Sequence, residues 1–321
     1  MRSAVVLIVF NRPEAAARVL ARIAEARPPV LFLIADGPRP NRTDDLSQCA
    51  ATRQVVERVD WKCEVVRDFA EVNLGCGLRP ASGITRVFEQ VEEAVILEDD
   101  CVPHPTFFRF CDELLERYSN DERAMAVSGN NYLRDPHFEY SYAFHRYLNT
   151  HGWATWRRAW RNYDSQLSSW RGIRQGDALE NLLGDARHCA FWRQIFDRTY
   201  ARSGRLDVWD YQWHYAIMCN GGFGIAPAVN LVSHVHTKQR GTHMSGGHPL
   251  MDIPEKPMSF PLRHPPEVGW DQDYDRRVFD LVFLAPDLPP APLTQRWRRA
   301  AAETIPLEVK RWIFNRRHSR K

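Results

Sequence analysis

The sequence lacks the motifs of several common classes of nucleotide-binding and metal-binding protein. It has no GxxxxGK[ST] segment, which excludes a P-loop protein. No GxGxxG follows the first apolar run, which argues against a dinucleotide cofactor. The seven cysteines include no CxxC pair and no Cys/His run with zinc spacing. Their odd number, without paired spacing, also argues against a disulfide framework, so we expect a reducing compartment and predict a cytoplasmic location.

Long hydrophobic runs are also missing. No segment reaches the ~20 apolar residues that a membrane-spanning helix needs. The apolar segment Ala4 to Phe10 is too short for the hydrophobic region of a signal peptide and is followed at once by Asn-Arg-Pro. With 44% hydrophobic and 26% charged residues, the 321-residue chain has the composition of a globular protein.

The net charge of +3 is small, but it is unevenly distributed. Residues 296 to 321 contain nine Lys or Arg and two Glu, which leaves the rest of the chain slightly acidic. We predict two short basic helices here, with apolar side chains along one face. Such a tail either packs back on the body or makes a peripheral contact with the inner face of the plasma membrane. We predict no nucleic-acid partner.

Apolar runs and helical patterns alternate through the first 130 residues. The runs are rich in β-branched residues, which is typical of strands covered on both faces. Short links between the elements predict an α/β fold with a mostly parallel central sheet and flanking helices. The predicted strands are Ala4 to Phe10, Val30 to Ala35, Cys63 to Val66, Val95 to Leu97 and Ala124 to Val127, and the predicted helices begin at Pro13, Thr43, Ala81 and Pro105.

The alternation ceases after about residue 130. We therefore divide the chain into a nucleotide-binding α/β half (1–130), a second half of the same domain (131–250) and a proline-rich segment with the basic tail (251–321). In the second part Trp153, Trp156 and Trp160 are spaced three and four apart, which predicts one stripe of a helix. Such a stripe either belongs to the core or offers a tryptophan that stacks on a sugar ring.

Polar residues follow three of the predicted strands directly. They are Asn11 and Arg12, Asp36 with Gly37, and the triplet Glu98-Asp99-Asp100. The carboxyl ends of parallel strands meet at one edge of a sheet, where ligands bind, so we expect these groups to form one site. Three adjacent carboxylates repel one another unless a positive charge is near, and Mg²⁺ or Mn²⁺ suits such oxygen ligands. The alternative is that the acids cap the following helix.

Two further segments carry candidate functional groups. Asp210 stands between Trp209 and Tyr211, where partial desolvation favours a general base, although a helix N-cap is equally common. Several His, Lys and Arg residues, among them Arg240 and His243, lie on a glycine-containing loop. This loop is either a lid that closes over phosphates, a weak metal site or a solvated loop.

Seven short segments resemble the nucleotide-sugar glycosyltransferases with the GT-A fold. The similarity is to the family of the animal N-acetylglucosaminyltransferase that initiates complex N-glycans and to its bacterial relatives, often grouped with family 2. It covers most of residues 1 to 245. The segments are VLIVFNRP (6–13), FLIADGP (32–38), NLGCG (73–77), ILEDDCVPHPTFF (96–108), HGWATWRRAW (151–160), VWDYQW (208–213) and NLVSHVHTKQRGTH (230–243).

The resemblance implies a metal-dependent glycosyltransferase that moves a hexosyl or N-acetylhexosaminyl group from a nucleotide sugar, in the first instance a UDP-sugar. The acceptor is a hydroxyl of a glycan or lipid-linked glycan, as in polysaccharide assembly. Asp100 would bind Mn²⁺ or Mg²⁺, and Asp210 would be the catalytic base, although Tyr211 replaces the second acid of the family's motif. The donor would be held by Asn11, Arg12, Asp36, Gly75, Arg79, Glu98, Asp99, Arg240 and His243, and the acceptor by Trp153 and Trp209.

Two other functions remain open from the sequence. A sugar nucleotidyltransferase uses a similar sheet and metal, but usually has a glycine-rich segment with Arg and Lys after the first strand, where only Asn11-Arg12-Pro13 stands here. The second is a non-catalytic carbohydrate-binding protein.

Overall fold

The apolar runs of the first 100 residues form one half of an eight-stranded sheet. In the computed structural model, which describes residues 1–133, 138–203, 208–234 and 253–283, four parallel strands lie side by side. Their order is β3 (Glu64–Phe69), β2 (Val30–Ala35), β1 (Ala4–Val9) and β4 (Glu93–Glu98). All six residues of β1 are buried, as expected for a strand covered on both faces.

Two strands in the second half of the sheet run opposite to the others. β8 (Trp153–Trp156) is antiparallel to both β4 and β6 (Ala124–Ser128). β9 (Phe223–Pro227) runs parallel to β6, and β7 (Tyr142–His145) closes the sheet in the antiparallel direction. Six of the eight strands therefore share one direction. The predicted α/β class with a mostly parallel sheet and flanking helices is confirmed.

A separate two-stranded ribbon crosses the end of β4. β5 (Cys101–Pro103) follows the acidic triplet directly and pairs in the antiparallel direction with β10 (Val232–His234). His234 is the last described residue before position 253. The ribbon brings residue 234 opposite Cys101, next to the carboxyl end of β4.

Helices cover the two faces of the sheet because β1 alternates its side chains between two cores. Val5, Leu7 and Val9 face one core, together with α1 (Pro13–Ala26) and α4 (Pro105–Arg117). Val6 and Ile8 face the other core, together with α3 (Gly75–Phe88) and α9 (Asp210–Cys219). The helices are α1 (Pro13–Ala26), α2 (Thr43–Val56), α3 (Gly75–Phe88), α4 (Pro105–Arg117), α5 (Arg157–Trp160), α6 (Trp170–Ile173), α7 (Ala178–Leu183), α8 (Ala186–Ala201), α9 (Asp210–Cys219) and α10 (Gln272–Val278).

The predicted start of the third helix at Ala81 is wrong. α3 begins at Gly75 and includes Pro80. Its first turn is stabilised from outside, because the carboxylate of Asp36, at the end of β2, accepts hydrogen bonds from the amides of Leu74 and Gly75 at 2.8 and 2.9 Å. Sequence pattern alone does not show a cap from a residue so far away.

The predicted helical stripe of tryptophans is also wrong. Trp153 to Trp156 form the strand β8, and α5 begins only at Arg157. Neighbours three apart on a strand point to opposite faces. Trp156 therefore packs beside α4, where its Nε1 donates to the carbonyl of Leu115 at 3.0 Å. Trp153 and Trp160 lie on the other face with α3 and α9.

The described part of the third segment returns to the body of the protein. Met258, Leu262 and Val268 are buried in the core beside α1 and α4, and α10 is followed by a short π-helical turn. The predicted basic helices between 297 and 321 lie outside the described residues. Of the helices in the described ranges, none combines the length and apolar character needed to cross a membrane.

Candidate functional site

The acidic triplet stands at the carboxyl end of β4, and Arg12 supplies its counter-charge. Arg12 Nη1 is 3.0 Å from Asp100 Oδ2, and Nη2 donates to Asp99 Oδ1. The second oxygen of Asp99 accepts from the amide of Phe10 at 3.2 Å. The positive charge that the sequence predicts at the triplet is supplied, among the described residues, by a guanidinium on the loop after β1. The metal site predicted at Asp100 stays a prediction.

The three carboxyl groups differ in acidity. Burial, and then the charges of Asp100 and Asp99, raise the pKa of Glu98 to about 8. Burial also raises the pKa of Asp99 to about 6, although Arg12 opposes this. For Asp100, burial is outweighed by the positive charges of Arg12, His234 and His151, so its pKa is below the ordinary value. Asp100 is thus the member that stays ionised most readily.

The raised pKa of Glu98 predicts a stability that falls as the pH rises. Between pH 4.5 and about 8, the folded state keeps a proton that the unfolded state has lost. This group alone therefore lowers the free energy of unfolding by up to about 1.4 kcal/mol per pH unit in that window.

We expect Glu98→Gln to flatten the stability profile between pH 6 and 8, measured by urea denaturation with EDTA present. The comparison with the wild-type protein isolates Glu98 from Asp275, whose burial raises its pKa to about 7. Identical slopes in the two proteins would show that Glu98 is ionised in the fold.

A cavity of about 780 Å³ opens beside the triplet. Its walls are the ends of β1, β2 and β4, the loop from Arg39 to Arg42, the start of α2, and the first turns of α3. The structure thus brings together most of the residues predicted to bind the donor. Those that line the cavity are Asn11, Arg12, Asp36, Gly75, Arg79, Glu98 and Asp99.

Asp36 and Arg79 shape the cavity wall through contacts that are already satisfied. Oδ1 of Asp36 accepts from the amides of Gly37 and Leu74, and Oδ2 accepts from the amide of Gly75 and the side chain of Asn73, all at 2.8 to 2.9 Å. The buried guanidinium of Arg79 bonds to backbone carbonyls at the ends of β2 and β3 and to the Asp68 carboxylate at 3.0 Å. Both side chains therefore fix strand and helix ends.

We expect Asp36→Asn to destabilise the protein because, in either orientation of the amide, its nitrogen would face at least one backbone N–H group. The loss is about 2 kcal/mol, within the usual range for leaving buried donors unpaired. Thermal unfolding measures it, and Asp177→Asn is the control, since Asp177 precedes α7 without a capping hydrogen bond. An unchanged melting temperature combined with weakened nucleotide binding would instead assign Asp36 to the ligand.

The cavity wall also contains a polar cluster around Asp45, and neither Asp45 nor its partner Arg39 was predicted from the sequence as part of the site. Asn11 Nδ2 donates to Asp45 Oδ1 at 2.9 Å. Arg39 bonds to the same carboxylate through Nε at 2.5 Å, Nη2 at 2.9 Å and its backbone amide at 3.2 Å. The guanidinium of Arg39 also lies over the ring of Phe10, 5.2 Å from the ring centroid. Asp45 lies in the first turn of α2, the helix predicted from Thr43, and its partners are shown only by the fold.

Asp210 is the first residue of α9, preceded by Trp209 as N-cap. Its Oδ1 accepts from the amide of Tyr211 at 2.9 Å, so the carboxylate contributes to the helix start. Its charge also raises the pKa of Glu98 and opposes the lowering of the pKa of His151. Asp210 therefore lies close enough to the acidic end of β4 to act on groups there.

Trp153 and Trp209 pack in the core and expose little surface. Trp153 is 1% and Trp209 5% exposed, and their rings stack with centroids 5.5 Å apart. Neither lines the cavity beside the triplet. The structure does not support their predicted stacking on an acceptor sugar and favours the alternative of core packing.

His151 is a second feature that the sequence analysis passed over, although it begins one of the quoted motifs. Its Nδ1 lies 2.7 Å from the hydroxyl of Tyr132, and its ring meets the ring of His234 edge-on with centroids 4.3 Å apart. Both Asp100 and Asp210 act on its pKa. The imidazole therefore lies near both acidic groups.

No group of three or more His, Cys, Asp or Glu side chains in the described ranges is arranged to hold a metal ion. A metal enclosed by protein ligands alone is therefore not supported in this part of the chain. Asp100 is the most acidic member of the triplet and its side chain is 23% exposed, so its carboxylate is accessible to a ligand. Arg240 and His243 lie outside the described residues.

No family model matches the sequence, and a search of curated proteins found no match. Among solved structures, a mannosyltransferase from Pyrobaculum calidifontis in complex with GDP-Man and Mn²⁺ is 12% identical with a TM-score of 0.36, over 67% of this chain and 73% of that one. Mouse xyloside xylosyltransferase 1 is 12% identical with a TM-score of 0.33, over 68% and 81%.

A cytidylyltransferase from Leptospira borgpetersenii is 11% identical with a TM-score of 0.32, over 51% of this chain. The chain spans 63% of that cytidylyltransferase and 66% of a UDP-glucose pyrophosphorylase. Likenesses at this level do not identify the reaction.

Proposed function

We propose that the protein is a glycosyltransferase that moves a sugar from a nucleoside-diphosphate sugar to a hydroxyl of a glycan or lipid-linked glycan. The observation that carries the proposal is the arrangement at the end of β4. Glu98 and Asp99 of the acidic triplet line a cavity of about 780 Å³ together with Arg12, and the charge of Asp210 acts on Glu98 from α9. Ligands of such sheets bind at the carboxyl ends of the strands.

Transfer of the sugar needs a base for the acceptor hydroxyl and positive charge at the leaving diphosphate. An acceptor hydroxyl is a poor nucleophile until a base removes its proton, and we assign this role to Asp210. The proton passes to Asp210, the hydroxyl oxygen bonds to the anomeric carbon, and the bond from that carbon to the diphosphate breaks. One base that faces the leaving group across the sugar gives displacement with inversion.

Asp100 is the residue that we assign to a divalent metal, Mn²⁺ or Mg²⁺. When bound, the metal would neutralise charge on the diphosphate that leaves. Other residues of the chain would bind the rest of the donor. Arg12 keeps Asp99 and Asp100 ionised side by side, and the loops after β1 and β2 form the walls of the nucleotide cavity.

A panel of nucleotide sugars tests the proposal. We expect at least one of them, at 100 times its dissociation constant and with Mn²⁺ present, to stabilise the protein by about 2.7 kcal/mol in thermal unfolding. Slow release of free nucleoside diphosphate from the same donor would support catalysis. Stabilisation by none of the panel overturns the proposal, and pyrophosphate formed from a nucleoside triphosphate and a sugar phosphate would assign a nucleotidyltransferase.

We expect Asp100→Asn to remove the contribution of the metal to donor binding. In the wild-type protein the affinity for the donor, measured by calorimetry, should fall at least about tenfold when EDTA replaces Mn²⁺, which is ~1.4 kcal/mol. In the variant the two conditions should give the same affinity. A variant that still responds to Mn²⁺ places the metal on other residues.

A further inference from the structure

His151 has a fixed ring with one nitrogen still open. The hydroxyl of Tyr132 meets Nδ1 at 2.7 Å, and the ring of His234 packs edge-on against the imidazole at 4.3 Å. No described residue makes a hydrogen bond to Nε2. A ring held on two sides and open at one nitrogen is well prepared to bind a ligand group.

The register of the sheet places His151 beside the acidic triplet. β4 and β8 are antiparallel, and Ile96 pairs with Trp153. Two residues further on, Glu98 and His151 reach the same edge of the sheet. Glu98 is the last residue of β4, on the face on which Ile96 is packed, and His151 stands on the turn that leads into β8. Trp153 in turn stacks on Trp209 at 5.5 Å, and Asp210 is the next residue.

The turn that carries His151 is set by close backbone packing. Gly152 has φ +74°, and a Cβ atom there would lie 2.8 Å from the Val232 side chain. The carbonyl of Gly152 accepts from the amide of Gly129 at 2.8 Å. Only glycine suits this conformation and this approach. The position of His151 is therefore determined by the sheet and not by a loose loop.

We propose that His151 binds a hydroxyl of the sugar that the donor carries, through Nε2, and that Tyr132 is the positioning residue that orients its ring. The inference rests on the proposed function. In the proposed function the diphosphate of the donor binds at the carboxyl end of β4, beside the acidic triplet, and the acceptor binds at Asp210. The charges of Asp100 and Asp210 both act on His151, so the transferred sugar, which joins these two parts of the substrate, is within its reach. Imidazole pairs well with a neutral hydroxyl.

Two amide substitutions separate the two ring nitrogens. In His151→Gln the amide nitrogen comes near the position of Nε2, whereas in His151→Asn it comes near the position of Nδ1 and can still meet Tyr132. Binding of UDP, UDP-glucose and UDP-N-acetylglucosamine is measured by calorimetry with Mn²⁺. We expect the Asn variant to bind the UDP-sugars about tenfold more weakly, a loss of ~1.4 kcal/mol, and to bind UDP as the wild type does.

The Gln variant should keep the affinity for the UDP-sugars within about threefold, and Tyr132→Phe should fall between the two variants, as expected for hydrogen bonds of ordinary strength. His188→Asn is the matched control because the hydroxyl of Tyr147 meets His188 Nδ1 at 2.6 Å in a like pair between the end of β7 and α8. This control should leave the ratio of UDP-sugar to UDP affinity unchanged.

The remaining outcomes each decide the question. Equal losses for UDP and UDP-sugars in the Asn variant would show that His151 supports the acidic triplet, which overturns the inference. Unchanged affinities in that variant overturn it as well, even if transfer is slower. If the wild-type protein binds none of the three compounds, the UDP-linked donor expected from the sequence is wrong and the inference fails, whereas the proposed function is decided by the wider panel of nucleotide sugars.

Discussion

Asp210→Asn should abolish sugar transfer and leave donor binding intact. The asparagine keeps an oxygen that can accept from the amide of Tyr211, as Asp210 does at 2.9 Å, so the start of α9 is preserved. It cannot take a proton from the acceptor hydroxyl. General-base catalysis contributes about 10²- to 10⁴-fold, and the transfer rate should fall by that factor.

Three measurements separate this outcome from a structural effect. The affinity for the donor with Mn²⁺ and the melting temperature should match those of the wild-type protein, and only the transfer rate should fall. Asp177→Asn changes an exposed acid at another helix start and should leave all three quantities unchanged. Transfer at the wild-type rate in Asp210→Asn would exclude Asp210 as the base and remove the main support for direct displacement.

The sheet could be predicted from sequence because its signal is local. A continuous run such as Ala4 to Val9 has no polar face, and a strand covered by helices on both sides is the structure that such a run favours. The polar residues that follow these apolar segments then lie at one edge of the sheet, because the carboxyl ends of parallel strands meet there. This is why Asn11, Asp36 and Glu98 could be assigned to one cavity before their contacts were known.

The contacts within the site could not be predicted because their partners are distant in sequence. Arg12 meets Asp99 and Asp100 across 87 and 88 residues, and Asp36 meets Gly75 across 39. Sequence pattern shows that the triplet needs a positive charge but not whether a metal or an arginine supplies it. The tryptophan spacing fails for another reason, since intervals of three and four fit a helix and also a strand that ends in a helical turn.

Arg12→Met should destabilise the protein more than Asp36→Asn or Glu98→Gln does. It removes the cation that bonds to Asp99 and Asp100 and leaves three carboxyl groups together at the end of β4. Loss of one partner from a buried ion pair typically costs about 3 to 5 kcal/mol. Because the Arg12 side chain is 21% exposed, we expect the lower end, about 3 kcal/mol, in urea denaturation near neutral pH.

The expected loss should depend on the acids and not on the arginine side chain as such. Without Arg12 the pKa of Asp99 lies above its wild-type value of about 6, so the deficit of Arg12→Met should shrink as the pH falls from neutral towards 6, where Asp99 takes up a proton in both proteins. For the same reason, the double variant Arg12→Met/Asp99→Asn should recover part of the stability. Arg18→Met, at an exposed position of α1, is the control and should have no measurable effect. A deficit that is independent of pH and of Asp99 would mean that Arg12 stabilises the fold by packing, and the triplet would then need another counter-charge.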